Sequence, residues 1–270
     1  MYKAVISDLD GTLLNGNRNL SKFTLETIKK ITDKGIKFYI ATGRNYKMSK
    51  GVMDELGIKI PLISSNGARI IDAEGKVIYE DLIDQREVGE ILDIDYSRFN
   101  KMIHLNIYSE DEWIIEKGTL EQIYERRGKN NIPVHPVEVD KDRLKDLKVL
   151  KFFFIGKNEC LLELEREILE KVGDSVNVVF VESECMEIFS RTVSKGNAAK
   201  FLLERDGIDL SEAVSFGDGE NDYELLTMTG KGYAMGNAID RLRKLLPEDF
   251  EYVKKNIEDG EAEKLAELFL

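Results

Sequence analysis

Apolar positions in this chain cluster into short continuous runs, and the stretches between them carry the spacing of amphipathic helices. Residues 3–7 form one such run, ending in Asp8-Leu9-Asp10-Gly11, and read as a buried strand opening into a turn. A helix is predicted from a cap at Ser21 to about residue 34, with Phe23, Ile28 and Ile31 on one side and Gly35 as its stop. Strands at 37–41 and 62–64 bracket a helix over about 45–56 that Gly57 closes. Asn66-Gly67 breaks this rhythm, and 69–72 with 76–79 read as the arms of a hairpin. Alternating strands and helices predict an α/β fold, a parallel sheet with helices on both faces.

From about residue 84 the texture changes. Runs at 102–108, 149–155 and 176–182 are rich in β-formers, with helices expected at 159–172 and near 120–127. After Ser190 the alternation returns: a helix near 196–205, a strand at 213–216, a helix from about 221, a strand near 232–234, and helices over 239–246 and 261–268. The expected division is therefore a core built from 1–83 and 191–270, interrupted by an α+β domain at 84–190.

Composition narrows the function. The formal net charge is −12, with no basic cluster, which argues against nucleic acid and against an anionic membrane surface as partners. A small phosphorylated substrate is still compatible, because a metal ion and a few local cations reverse the field inside a pocket. The two cysteines, Cys160 and Cys185, sit in apolar stretches without metal spacing and read as thiols. The N-terminal stretch from Met1 to Ile6 has no signal-peptide architecture, and no apolar run approaches the ~18 residues of a membrane span. A cytoplasmic location is the expectation.

Four segments place polar residues just past a strand end or at a helix start, the edge where open parallel sheets bind ligands. Asp8-Leu9-Asp10-Gly11-Thr12 sets two carboxylates two residues apart, although Asp and Gly are common at strand ends anyway. Thr42-Gly43-Arg44 offers a hydroxyl and an approachable N–H, or is an ordinary strand-to-helix link. Ser194-Lys195-Gly196 starts a helix with a cation, where a cation is mildly unfavourable. Gly217-Asp218-Gly219-Glu220-Asn221-Asp222 supplies oxygen ligands for a hard cation, or is only a helix cap with a turn. Taken together they direct Asp8, Asp10, Asp218 and Asp222 toward one crevice with Thr42 and Lys195. Carboxylates ~4 Å apart repel by about 4 kcal/mol at an effective dielectric of 20. A divalent cation relieves this, and an all-oxygen set suits Mg2+. No zinc set or P-loop is visible, and both His104 and His135 lie in the insertion.

These segments, with Ser64-Ser65-Asn66-Gly67-Ala68, resemble the haloacid dehalogenase-like superfamily, and their order is similar to its Cof-type branch of sugar-phosphate phosphatases with a IIB cap. The resemblance spans essentially the whole chain. It implies a Rossmann-like core in which residues 84–190 form the cap that sets specificity. It implies that Asp8 is the nucleophile and that Asp10 is the acid and base, lending its backbone carbonyl to the metal. Lys195 neutralises phosphate charge and fixes Asp8. Leu9, Thr42, Gly43, Arg44, Asn66, Gly67, Lys195 and Asn221 surround the phosphorylated substrate. Asp8, Asp10, Asp218 and Asp222 form the Mg2+ site. The partner is a small phosphorylated metabolite and the chain a monomer or weak homo-oligomer. A phosphotransferase or phosphomutase would carry the same motifs, and a non-catalytic phosphate sensor would be expected to lack one of them. Two stretches depart from the pattern. Ser190-Arg191-Thr192-Val193 is more polar than usual, and 256–262 carries a Glu where the family usually has an aliphatic residue. His104, Tyr108, Trp113, Glu187 and Arg191 are conceivable cap contacts, but core packing or exposure explains each as well.

Overall fold

The computed structural model describes residues 2–129, 132 and 134–270; Met1, where the N-terminal reading began, lies outside them. Strand β1 (Ala4–Ser7) has every side chain buried. A parallel strand covered on both faces has no solvent side, which is why its sequence is continuous and not alternating. The chain then makes one wide turn, in which the N–H groups of Leu13 and Leu14 donate to the carbonyls of Asp8 and Leu9 at 3.3 and 2.9 Å. Helix α1 (Lys22–Asp33) starts where Ser21 Oγ accepts the Thr24 N–H at 3.0 Å. Such a cap is worth about 1 kcal/mol. Strand β2 (Lys37–Ala41), helix α2 (Tyr46–Leu56), strand β3 (Leu62–Ser64) and the hairpin arms β4 (Arg69–Ile71) and β5 (Val77–Glu80) follow.

The next segment holds α3 (Gln85–Leu92), β6 (Ile103–Ser109), β7 (Glu112–Glu116), α4 (Leu120–Arg127), β8 (Val137–Val139), β9 (Val149–Gly156), α5 (Asn158–Val172), β10 (Val176–Glu182) and β11 (Cys185–Ser190). The chain closes with α6 (Lys195–Arg205), β12 (Ala213–Gly217), α7 (Tyr223–Met228), β13 (Lys231–Ala234), α8 (Asp240–Leu245) and α9 (Gly260–Phe269).

Two compact units result. The first comprises the residues up to Arg44, Ser49–Tyr79 and Ser194–Leu270; the second comprises Asn45–Met48 and Glu80–Val193. The first contains a seven-stranded sheet in the order β13-β12-β1-β2-β3-β4-β5, parallel from β13 to β3, with β4 antiparallel to β3. The second contains a six-stranded sheet in the order β10-β11-β9-β6-β7-β8, antiparallel except for the β7–β8 pair. One face of that sheet (Ile107, Phe152, Phe154, Met186, Ile188) packs with Val88 and Ile91 of α3 and Leu161, Leu164 and Ile168 of α5. The fold is α/β, with a parallel core and an inserted α+β part.

The units divide after Tyr79 and after Val193, a few residues from the points expected at 83 and 190. Ile83 is part of the second unit's apolar core, and Thr192 Oγ1 donates to Asp81 Oδ2 at 2.6 Å, so both flanks are tied to the insertion. Cys160 and Cys185 are free thiols. Among the described residues no helix is long and apolar enough to cross a membrane.

Candidate active site

Because β12, β1, β2 and β3 run parallel, their carboxyl ends lie along one edge of the sheet. Asp8 leaves β1 there, Thr42 leaves β2, Ser65 and Asn66 leave β3, and Asp218 leaves β12. Lys195 reaches the same place from the first turn of α6, whose cap is Ser194 Oγ accepting the Asn197 N–H at 3.0 Å.

Lys195 is 1% exposed, and its Nζ donates to Asp8 Oδ1 at 2.7 Å and to Asp222 Oδ1 at 2.6 Å. Asp222 Oδ2 accepts the N–H groups of Asp218 and Gly219, each at 3.0 Å. Asp218 Oδ1 accepts the Thr12 hydroxyl at 2.9 Å. A carboxylate oxygen from each of Asp8, Asp218 and Asp222 lies within 4.8 Å of the others. Three carboxylates against one ammonium leave an excess of negative charge in a buried place. Burial, reinforced by Asp222 and Asp10 and opposed by Lys195, pushes Asp8 up to about 7. Burial, with the charges of Asp8 and Asp222, pushes Asp218 well above the usual carboxylate range. Burial disfavours the Lys195 ammonium, but Asp222 and Asp8 outweigh it and hold the pKa above that of a free lysine. The donor set is all oxygen, both oxygens of Asp222 are already engaged, and the three groups are close enough to share one ion. These residues therefore fit a hard divalent cation, with Asp8 and Asp218 as the groups to touch it and Asp222 as support.

The Asp10 carboxylate takes a different partner. Arg44 grips it in a fork, Nε to Oδ2 at 2.6 Å and Nη2 to Oδ1 at 2.5 Å. Burial alone would raise Asp10, and the Arg44 hydrogen bond and charge overcome it, holding the carboxyl below its ordinary range. Thr42 Oγ1 accepts the Arg44 N–H at 3.1 Å, and the Thr42 carbonyl accepts the Asn66 N–H at 3.0 Å. Ser65, Asn66 and Gly67 are three successive residues with positive φ (49°, 62° and 104°), a rare backbone that turns Asn66 inward. Its Oδ1 accepts Asn221 Nδ2 at 2.9 Å. Gly67 is obligatory, since a Cβ there would sit 2.5 Å from the Ser194 carbonyl oxygen. Leu9 has a fully buried side chain, so it can offer the site only its backbone.

Two contacts escaped the sequence reading. Ser7 Oγ lies 2.7 Å from Glu261 Oε2, and Glu261 is buried and pushed up to about 8, first by burial, with Ser7 opposing and the Asp8 charge adding. Asn237 Nδ2 donates to the Gly11 carbonyl at 2.8 Å and approaches Asp218 Oδ2 at 3.4 Å. No motif spacing signalled either; the Glu within 256–262 was the one visible trace.

Residues 5–265 match the family model for haloacid dehalogenase-like hydrolases. The chain belongs to that family. It is an enzyme of this hydrolase group, as the motif resemblance implied. A "Putative phosphatase" of Buchnera aphidicola subsp. Baizongia pistaciae is 38% identical over 279 residues, covering 100% of this chain and 99% of the relative. An "HMP-PP phosphatase" of Yersinia pestis (strain Pestoides F) is 30% identical, covering 92% of this chain and 89% of the relative. A solved subclass IIB sugar phosphatase of the haloacid dehalogenase superfamily shares the fold with a TM-score of 0.82 at 23% identity, covering 98% of each chain.

Proposed function

We propose that this haloacid dehalogenase-like hydrolase is an Mg2+-dependent phosphatase of small phosphorylated metabolites that works through an aspartyl-phosphate on Asp8. The observation that carries the reading is a buried Asp8 held by Lys195 at 2.7 Å, beside Asp218 and Asp222, at the ligand-binding edge of the sheet. Lys195 fixes one carboxylate oxygen, which orients the other for attack on phosphorus. The new Asp8 O–P bond forms as the P–O bond to the leaving group breaks, and Asp10 gives its proton to the departing oxygen. Asp10 then takes a proton from water as that water attacks phosphorus. The aspartyl O–P bond breaks, inorganic phosphate leaves, and Asp8 is restored.

Asp10 must be protonated for the first of these steps, so Arg44 has to release it; a phosphate that draws the guanidinium away does so. Thr42, Gly43, Asn66, Gly67, the Leu9 backbone and Asn221 hold the phosphoryl oxygens. Mg2+, held by Asp8, Asp218 and the Asp10 carbonyl with Asp222 in support, would neutralise charge on the phosphoryl group and keep Asp8 ionised near neutral pH. Residues 80–193 would be the cap that selects the substrate.

The substrate class has two readings. The IIB fold favours sugar phosphates, while the similarity to an HMP-PP phosphatase over most of the chain favours HMP-PP. Phosphate release from a panel of sugar phosphates, HMP-PP, pyridoxal phosphate and flavin mononucleotide, with and without Mg2+, separates them. Release from none by the folded protein would sink the phosphatase reading; transfer to an acceptor sugar would make the enzyme a phosphotransferase.

A further inference from the structure

Glu261, the second residue of α9, is 2% exposed, and its Oε1 has no hydrogen-bond partner among the described residues. Its Oε2 lies 2.7 Å from Ser7 Oγ, and Ser7 Oγ lies 2.7 Å from the carbonyl oxygen of Asp8. A serine hydroxyl has one proton to give. With Glu261 ionised, both neighbours of Ser7 would be acceptors. One contact would then press two oxygens together at 2.7 Å with no proton between them, and Oε1 would be a buried charged atom with no partner. A carboxylic acid closes the count. Glu261 Oε2–H donates to Ser7 Oγ, Ser7 Oγ–H donates to the Asp8 carbonyl, and Oε1 remains a neutral carbonyl oxygen. The first turn of a helix would ordinarily favour a carboxylate. Here the buried oxygen accepts none of the α9 N–H groups, so that preference is not realised.

We infer that Glu261 is held as a neutral carboxylic acid and is a positioning residue, fixing through Ser7 the end of β1 from which Asp8 presents its carboxylate. The role given to Asp8 rests on the proposed phosphatase mechanism; the protonation of Glu261 does not. An ionised Glu261 would add a fourth carboxylate charge behind Asp8, Asp218 and Asp222, and the upward shift of this group agrees with its staying neutral.

Two measurements on the full chain test the two halves separately. In protein labelled with 13C at the glutamate carboxyls, the resonance lost in E261Q belongs to Glu261. At about pH 6.5, where free glutamate is ionised, it should have the shift of a protonated carboxyl, and an ionised shift there overturns the inference. Hydrolysis of p-nitrophenyl phosphate with Mg2+ then reads the positioning role. E261Q keeps a donor toward Ser7 and should stay within about twofold of the native kcat. E261L fills the space without a donor and should lose about 5- to 20-fold in kcat with KM unchanged, since small misplacements near the chemistry cost up to about 100-fold. Equal losses in both variants, or none in E261L, overturn the positioning role. If E261L fails to fold, S7A breaks the relay from its other end and should show the same kcat loss. Native protein inert toward p-nitrophenyl phosphate would count against the phosphatase reading, and the resonance would still decide whether Glu261 is an acid.

Discussion

Each unit buries a lysine that is 1% exposed, and the two are used differently. In the second unit Lys151 pairs with Glu187 at 2.5 Å and lies 5.0 and 5.6 Å from the ring centres of Tyr108 and Phe153. Nearby, Trp113 Nε1 donates to Asn106 Oδ1 at 2.9 Å. There the lysine faces the Glu187 carboxylate. In the first unit Lys195 faces Asp8 and Asp222, with Asp218 alongside. That surplus of negative charge costs stability in the bare protein and is relieved by a cation, not by an anion.

Four experiments would break or sharpen this contrast. Asp8→Asn should lower kcat by at least about 10^3-fold while the circular dichroism spectrum stays native; retained turnover would remove Asp8 as nucleophile. Next in size, Lys151→Met should cost about 3–5 kcal/mol in urea unfolding by breaking its buried ion pair with Glu187, and adding Glu187→Leu should restore most of it. Lys195→Met should also destabilise the bare protein, and a single Leu elsewhere in the cluster should not restore it, because more than one carboxylate is stranded. Saturating Mg2+ should then raise stability by about 2.7 kcal/mol at 100 times its Kd. EDTA should stop turnover, and Asp218→Asn should abolish the stabilisation.

A further measurement reads pH. Glu261 rises from an ordinary 4.5 to about 8 in the folded protein. The folded state therefore holds a proton that the unfolded chain has lost, so stability should fall as pH climbs through that window. Asp8 acts in the same direction from 3.8 to about 7. Metal-free E261Q should show a shallower decline than the native protein in thermal melts from acid to mildly alkaline pH. Parallel curves would mean that Glu261 is not the group that titrates.

Much of the first unit was legible because its central strands are buried on both faces and Gly35 and Gly57 close α1 and α2. The strands at 37–41 and 62–64 fall where the apolar runs put them. The second unit was harder. β11 escaped because Glu187 interrupts its apolar run, and the reason for that Glu, Lys151 on a neighbouring strand, is invisible in a local window. α3 is only eight residues long and includes Gly89, and β7 is five residues with Glu at either end. At the site, the residues that leave strand ends could be read from their motifs. The Arg44–Asp10 fork, the Asn66–Asn221 bond and the Ser7–Glu261 contact could not, since each depends on where distant side chains meet.

The pairing of β1 with β12 has a consequence in time. Asp8 is synthesised well before Asp218 and Asp222, which follow the whole insertion. At roughly 5–20 residues per second, the N-terminal strand waits about 10 to 40 s for its partner. Through that interval the second unit, contiguous from Glu80 to Val193 apart from a four-residue outlier, can mature first. The enzyme's concentration of negative charge can thus be completed only after the insertion has been synthesised.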